Sequence, residues 1–428
     1  MSDSTTNIAL ILHPDFRHIK GHARSVYDPS FQLQEAVGLA RAINLDVIDA
    51  TVLPIRSLKP NSLFGTGVIQ RYKVYIHDQD IKLVIIDAPL TPIQQRNLER
   101  KWSCKVIDRT GLILEIFGER ARTAEGKLQV ELAALTYQRS RLVRSWTHLE
   151  RQRGSLGFVG GPGETQLEVD RRLIDERIGR LKKQLTGVKR TRELHRKSRQ
   201  SVPYPVVALV GYTNAGKSTL FNALTQSEVM AEDILFATLD PTMRSLKLPS
   251  GRKVILSDTV GFISDLPTQL VMAFRATLEE VKGADLLLHV RDISHPHTDM
   301  QCKEVFNVLH ELGIKDTLEE NAIEVLNKID QLKEEEQEYI YPKENSIPLS
   351  ALKREGLTAL LHAIDRALAR DEIIHEFTVD LHDGAAFAWL HAHGDVIART
   401  DDNTVAMVTV KMNPSDIQRF KKLFDVKG

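Results

Sequence analysis

Between residues 7 and 120, short apolar runs alternate with segments whose apolar positions repeat at helical spacing. Asn7–Leu12 (NIALIL) predicts a buried strand. Ile81–Pro89 (IKLVIIDAP) predicts a second, rich in β-branched residues, and Cys104–Arg109 (CKVIDR) a third. Phe31–Ile43 and Pro92–Lys101 predict helices between them. Strands alternating with helices imply a parallel sheet covered by helices.

The period changes beyond residue 126. Leu128, Leu132, Leu135, Leu142, Trp146 and Leu149 share one helical face, and Leu167, Ile174, Ile178, Leu181, Leu185 and Val188 share another. Two such helices predict an antiparallel hairpin. The connecting segment, Gly154–Gln166 (GSLGFVGGPGETQ), carries five glycines and a proline, which cannot continue a helix. A helix over about Lys127–Arg153 would be on the order of 40 Å long at 1.5 Å per residue. That length puts the glycine-rich loop at the end of an arm. Gly187 is a place where the second helix can bend. Ser201–Pro205 (SVPYP) then reads as a linker. Two strand-like runs near the C-terminus, Ile374–Leu381 and Thr404–Val410, precede an amphipathic helix over Asn413–Phe424. His391 and His393 there read as surface residues. The expected division is 1–125, 126–200 with its loop at 154–166, 201–372 and 373–428.

Charge adds one feature. The 57 basic and 57 acidic residues cancel, so global charge excludes nothing about partners. Its distribution is uneven: Arg171, Arg172, Arg177, Arg180, Lys182, Lys183, Lys189, Arg190, Arg192, Arg196, Lys197 and Arg199 face only Asp175, Glu176 and Glu193. Such an element suits phosphate neutralisation and salt-dependent nucleic-acid binding, with a solvated helical face as the plain alternative. Cys104 and Cys302 lack metal-ligand spacing and read as ordinary thiols of a reduced compartment. No run approaches the roughly 18 apolar residues of a membrane helix. A soluble, cytoplasmic monomer is expected.

The chemistry is concentrated after residue 205. Val206–Leu220 (VVALVGYTNAGKSTL) is a buried strand, a glycine turn and a helix start, the context a phosphate-binding loop requires. Gly211 and Gly216 permit the turn. The backbone of Tyr212, Thr213, Asn214, Ala215 and Thr219 lies along the phosphates, whose negative charge the N–H groups attract. Lys217 reaches the β- and γ-phosphates, and the Ser218 hydroxyl ligates Mg²⁺. Asp258–Phe262 (DTVGF) follows the strand Val254–Ser257. Asp258 is expected to hold Mg²⁺ through water. Thr259 and Val260 lead to Gly261, whose N–H meets the γ-phosphate and senses its presence. Phe236, Ala237, Thr238, Leu239 and Asp240 form a second phosphate-side segment; Thr238 is the expected switch threonine and Mg²⁺ ligand, with Thr242 the alternative.

The base is read later. Asn327, Lys328, Ile329 and Asp330 (NKID) follow a strand-like AIEVL, and Ser350, Ala351 and Leu352 follow SIPL. Asp330 accepts hydrogen bonds from guanine N1–H and N2–H₂, donors that adenine lacks. A site built on such bonds discriminates by about 10⁴-fold. The Ala351 N–H is placed for guanine O6. The five elements together imply a GTP-hydrolysing domain within an α/β, multidomain chain, with a helical hairpin and a small C-terminal α+β domain. Lys217, Thr238 and Gly261 are the expected catalytic set.

One absence is informative. Many GTPases place a glutamine after DxxG to orient the attacking water; here Phe262 stands there. Intrinsic hydrolysis is therefore expected to be slow until a partner supplies the positioning. Asn214 fits the GxxNxGKS pattern of potassium-activated GTPases, so K⁺ can stand in for an arginine finger; a neutral loop asparagine is the alternative.

With Arg109–Leu135, Gly160–Arg172 and Val210–Thr225 as its most specific stretches, the chain resembles the HflX-type GTPases over nearly its whole length, and is similar to the Obg-type GTPases in the apolar residue after DxxG. The resemblance implies binding to the large ribosomal subunit and its rRNA, and splitting of stalled or idle ribosomes, notably under heat stress. It places loop 154–165 near the peptidyl-transferase centre. Gly160 and Gly161 stand before Pro162-Gly163-Glu164 where family members often carry an arginine. A regulatory switch acting on a protein partner, and an RNA-remodelling ATPase as reported for some members, are the competing readings. Asp330 and the lack of a second ATP motif argue against the ATPase.

Overall fold

The computed structural model describes residues 8–19, 28–145, 166–199, 204–226, 236, 242–264, 281–311, 313–314, 321–333, 335, 345–369, 373–412 and 414–424; at 143–145, 166–167, 189–199 and 414–415 it describes the backbone only. The glycine-rich loop 154–165, Trp146, Leu149 and the switch residues Ala237, Thr238, Leu239 and Asp240 lie outside these.

The N-terminal half is built from β1 (Ile8–Asp15), α1 (Pro29–Arg41), β2 (Asp46–Pro54), α2 (Thr66–Asp78), β3 (Leu83–Ile86), α3 (Pro92–Trp102), β4 (Lys105–Asp108) and α4 (Arg109–Arg120). Its sheet is parallel throughout, in the order β2-β1-β3-β4. The three strands anticipated from apolar runs, β1, β3 and β4, are buried at every position after the first. The fourth, β2, is half-exposed along most of its length and of mixed polarity, which is why its sequence lacks an apolar run. Local chemistry starts the helices. Asp28 accepts the Ser30 N–H ahead of Pro29, and Thr91 and Gln94 form a reciprocal capping box.

The hairpin consists of α5 (Ala124–Ser145) and α6 (Gln166–Arg199), packed along each other. Ile178, Leu181 and Leu185 are buried on α6 as the leucine pattern required. Gly187 does not stop α6. Helix α5 has two partners: Val130 and Ala133 belong to the core under the N-terminal sheet. Its root is fixed by Asp108, which accepts hydrogen bonds from Tyr137 Oη (2.5 Å), Leu90 N (3.1 Å) and Gly111 N (2.8 Å) and ion-pairs with Arg141. The arm therefore rests on the N-terminal half.

The central sheet contains β5 (Val206–Gly211), β6 (Thr242–Lys247), β7 (Lys253–Asp258), β8 (Leu286–Asp292), β9 (Ala322–Asn327) and β10 (Ser346–Pro348), in the order β10-β9-β8-β5-β7-β6. All neighbours are parallel except β6 and β7. Helices α7 (Lys217–Thr225), α8 (Thr298–Glu311) and α9 (Leu357–Leu368) accompany it. The C-terminal unit is an antiparallel sheet, with β13 (Val405–Met412) between β11 (Ile373–Asp380) and β12 (Asp395–Asp401). Helices α10 (Gly384–His393) and α11 (Pro414–Leu423) belong to it. The His393 ring stacks on Trp389 with centroids 3.8 Å apart.

One apolar core runs from the N-terminal sheet into the central one. Ile11, Ile85 and Phe117 belong to it, as do Val210, Phe236, Val260, Phe262 and Ile263. The Phe117 and Phe236 rings meet edge-on at 4.7 Å. Phe31 of α1 touches the rings of His295 and His297, each at 4.9 Å. Burial of one such phenylalanine contributes about 1.5–3 kcal/mol, so several residues on each side fix the two halves against each other.

Candidate nucleotide site

Strand β5 delivers the chain into the glycine turn at Gly211. Its φ is +154°, and an added Cβ would lie 2.2 Å from the Val290 carbonyl oxygen on β8. Gly216 has φ +88°, and its added Cβ would lie 2.2 Å from Asn327 Nδ2. Both glycines are demanded by close approach as well as by conformation. Helix α7 begins at Lys217, so its N-terminal amides open onto the loop. Asn214 is exposed, with φ +61°.

Lys217 is buried, and Nζ donates to Gly211 O (3.1 Å) and Tyr212 O (2.7 Å). Burial lowers its pKa to about 8; Lys328 adds to the depression and Asp258 opposes it. A phosphate chain beside Nζ favours the protonated form, so the bound state retains a proton that the free protein loses above about pH 8. Nucleotide affinity is accordingly expected to be flat below pH 7.5 and to fall by up to about tenfold per pH unit above 8. Calorimetric titration with GDP between pH 7 and 9.5 measures this; constant affinity would refute it.

The Ser218 hydroxyl donates to Asp258 Oδ2 at 2.7 Å. Asp258 is fully buried at the end of β7. Hard oxygens from a hydroxyl and a carboxylate at a phosphate-binding helix start suit Mg²⁺. Thr259 Oγ1 donates to Leu209 O (2.6 Å), locking this segment to β5. Beyond it the two chains pair again: Thr213 N donates to Phe262 O (2.6 Å), and Phe262 N donates to Gly211 O (3.1 Å). Gly261 thereby lies over the loop. An added Cβ would be 2.9 Å from Lys217 Nζ and from Thr213 Cα. The Phe262 side chain turns into the shared core and is 3 % exposed. It has no atom able to orient a water.

Asn327 ties the remaining motifs together. Its Nδ2 donates to Ala215 O (2.9 Å), and its Oδ1 accepts the Ala351 N–H (3.0 Å). That N–H, expected at guanine O6, thus has a partner within the protein that the base would have to share. Lys328 has φ +67° and pairs with Asp292 at 2.7 Å. Asp330 lies on the short 3-10 turn Ile329–Gln331. Ser350 and Glu355 exchange backbone hydrogen bonds, and Leu352 is 74 % exposed. Ser218, Asp258, Gly261, Asn327 and Ala351 therefore meet around one loop. Phe236 is buried with φ +58°.

Several residues at the site carry no local sequence signal. Asp292 is one. Glu35 and Arg109 are others: Tyr212 Oη donates to Glu35 Oε1 at 2.5 Å, and Arg109 Nη2 donates to Ser264 O at 3.1 Å. Cys302 also has a setting that spacing does not reveal. Among the described residues, ligand atoms of His289, Cys302 and Glu324 lie within 4.8 Å of one another. Glu324 is ion-paired with Arg291, whose charge opposes a second cation. Burial, with Arg291 and Lys217 nearby, lowers the pKa of His289 to about 3.

Residues 30–118 match the family described as GTP-binding GTPase N-terminal, and residues 120–199 the GTP-binding GTPase Middle Region. Residues 206–328 match the 50S ribosome-binding GTPase family. The chain is 50% identical over 400 residues to the GTPase HflX of Magnetococcus marinus, covering 92% of this chain and 91% of that one. It is 45% identical to the GTPase HflX of Caldanaerobacter subterraneus, covering 86% and 85%. A solved complex of SsGBP and GDP covers 84% of this chain and 98% of its own, at 27% identity and a TM-score of 0.48.

Proposed function

Because the chain belongs to the HflX family of GTPases, we propose that it uses bound GTP to dock on the large ribosomal subunit and to split stalled or idle ribosomes under stress, acting as a cytoplasmic monomer. Hydrolysis then releases it. The observation that carries this reading is the basic arm. Arg180, Lys182 and Lys183 are exposed on α6 and, among the described residues, make no ion pair. Nearby Arg171 and Arg177 are matched by Asp175 and Glu131. Such a surface suits rRNA phosphates, and α6 is followed directly by the nucleotide-binding strand.

At the site, Lys217 neutralises the β- and γ-phosphates. Asp330 reads guanine, and Gly261 senses the terminal phosphate. Ser218, with Thr238, which lies outside the described residues, would hold Mg²⁺, and the ion would supply charge neutralisation across the phosphates. Asn214, exposed on the loop, is the residue that would admit K⁺ beside them. The apolar Phe262 leaves the orientation of water to the docked partner, so the ribosome is expected to stimulate hydrolysis.

Cosedimentation with large subunits tests the reading. The protein loaded with a non-hydrolysable GTP analogue should pellet with the subunit, and the GDP form should remain in the supernatant. Reversing the charges of Arg180, Lys182 and Lys183 together should lower the salt dependence by about 2–3 in log–log slope. Absence of binding in both nucleotide states would overturn the ribosomal role.

A further inference from the structure

Tyr212 of the phosphate loop and Ser264, three positions beyond Gly261, end in a buried polar cluster built by the N-terminal half. Tyr212 Oη donates to Glu35 Oε1 (2.5 Å) and accepts the Ser264 N–H (2.8 Å). Ser264 Oγ donates to Glu35 Oε2 at 2.7 Å. Arg109 Nη2 donates to that same Glu35 oxygen (2.5 Å), to Ser264 O (3.1 Å) and to Ser264 Oγ (3.1 Å). Its other arm meets Asp87 at 2.7 Å, and Asp87 meets His13 at 2.8 Å. All six side chains are less than a tenth exposed. Burial, with Glu35 beside it, holds the Tyr212 hydroxyl well above its ordinary pKa and therefore neutral.

Buried charges of this kind are worth little as a source of stability, because desolvation cancels much of their attraction. They do impose geometry, since displacing one partner strands another. What this cluster fixes is the segment around Gly261. Residues 262–264 are held from below by the Gly211–Phe262 and Thr213–Phe262 backbone bonds and from the side by Tyr212, Glu35 and Arg109. Held there, Gly261 leaves less than a methyl's clearance towards Lys217 Nζ and Thr213. A phosphoryl group is larger than a methyl. Seating a γ-phosphate between Lys217 and Gly261 therefore requires Lys217 Nζ to leave the loop carbonyls and Gly261 to draw back from Thr213. A β-phosphate wrapped by the loop amides makes no such demand. Helix α1 presents Phe31 one turn before Glu35, on the same face, and Phe31 touches His295 and His297 beyond β8. Helix α1 thus contacts the nucleotide domain at two separate places.

We infer that Glu35 and Arg109 are positioning residues for the nucleotide: through Tyr212 and Ser264 they hold Gly261 on the phosphate loop and so set the preference of the protein for GDP over GTP. The inference rests on the guanine-nucleotide site described above and is independent of the ribosomal role. Loosening the cluster lets Gly261 withdraw more readily. Affinity for GTP then rises while affinity for GDP stays nearly unchanged.

Calorimetric titration of the full-length protein with GDP and with a non-hydrolysable GTP analogue tests this in Glu35→Gln and Ser264→Ala. Glu35→Gln removes one of the two charges that Arg109 meets and leaves Asp87 on its other arm. Ser264→Ala removes one hydroxyl and leaves the Glu35–Arg109–Asp87 charges in place, so it carries the test if Glu35→Gln fails to fold. The expected result is about a tenfold gain for the GTP analogue, with GDP affinity within about twofold of the parent. An unchanged ratio in a folded variant, or a ratio shifted towards GDP, overturns the inference. Failure of the parent protein to bind either nucleotide would instead overturn the site itself. A merely structural role for Glu35 would lower both affinities together and leave their ratio fixed.

Discussion

Lys217→Ala is expected to abolish nucleotide binding in the central domain. The side chain is buried at the first turn of α7, and its ammonium donates to two loop carbonyls. Those carbonyls fix it at the mouth of the loop, where the phosphates of a nucleotide must pass. Truncating one partner of a buried charge pair costs about 2–5 kcal/mol. The alanine variant also leaves the phosphates with backbone amides alone. Affinity for a fluorescent GDP analogue should therefore fall by about 10³-fold, and GTP turnover should fall with it. An unchanged melting temperature in the absence of nucleotide would show that the fold is retained. The loop's shape comes from Gly211, Gly216 and Asn327, and the Gly211 carbonyl that the ammonium leaves still accepts the Phe262 N–H. Retained GDP affinity in a folded Lys217→Ala protein would move the phosphate site elsewhere.

Asp330→Asn is expected to exchange the base specificity. In the proposed role the carboxylate would accept from N1–H and N2–H₂ of guanine, whereas an asparagine offers an N–H₂ donor that suits the C2 carbonyl of xanthine. A site built around such bonds discriminates by about 10⁴-fold, because the wrong base strands a polar group. The turn that carries Asp330 is well supported. Asn327 anchors it to the phosphate loop, and the Lys328–Asp292 pair fixes its first residue. The substitution should therefore change recognition and leave position intact. Hydrolysis of GTP and XTP, compared by kcat/KM, should reverse in order; continued preference for GTP would remove Asp330 from base recognition.

Legibility in the sequence followed the distance over which each contact is made. Gly211–Ser218, Asp258–Gly261 and Asn327–Asp330 are each a few consecutive residues joined to a strand, so spacing alone exposes them. Strands β1, β3 and β4 were equally plain, because full burial demands unbroken apolar runs. Strand β2 was missed because its half-exposed positions tolerate Asp46 and Asp49. The leucine face of α5 was only half the story. Val130 and Ala133, between those leucines, are the residues in the common core, because this helix packs on two sides. The cluster of Glu35, Arg109, Tyr212 and Ser264 could not be read at all. Its members are joined across separations of up to 229 positions, and each is an unremarkable polar residue in its own segment. The second acceptor of the Ala351 N–H was hidden for the same reason.

The core shared by the two α/β halves also bears on how such a chain can diversify. Phe117 and Phe236 are neighbours in that core although they lie on different sheets' territory. A change of volume at one is answered at the other, and Phe262 sits among the same side chains. Exchanging one half for that of a relative should therefore require repacking beneath Gly261, because the two share these side chains. A volume change in the half that contains no phosphate-binding motif is thus expected to be felt in the nucleotide domain.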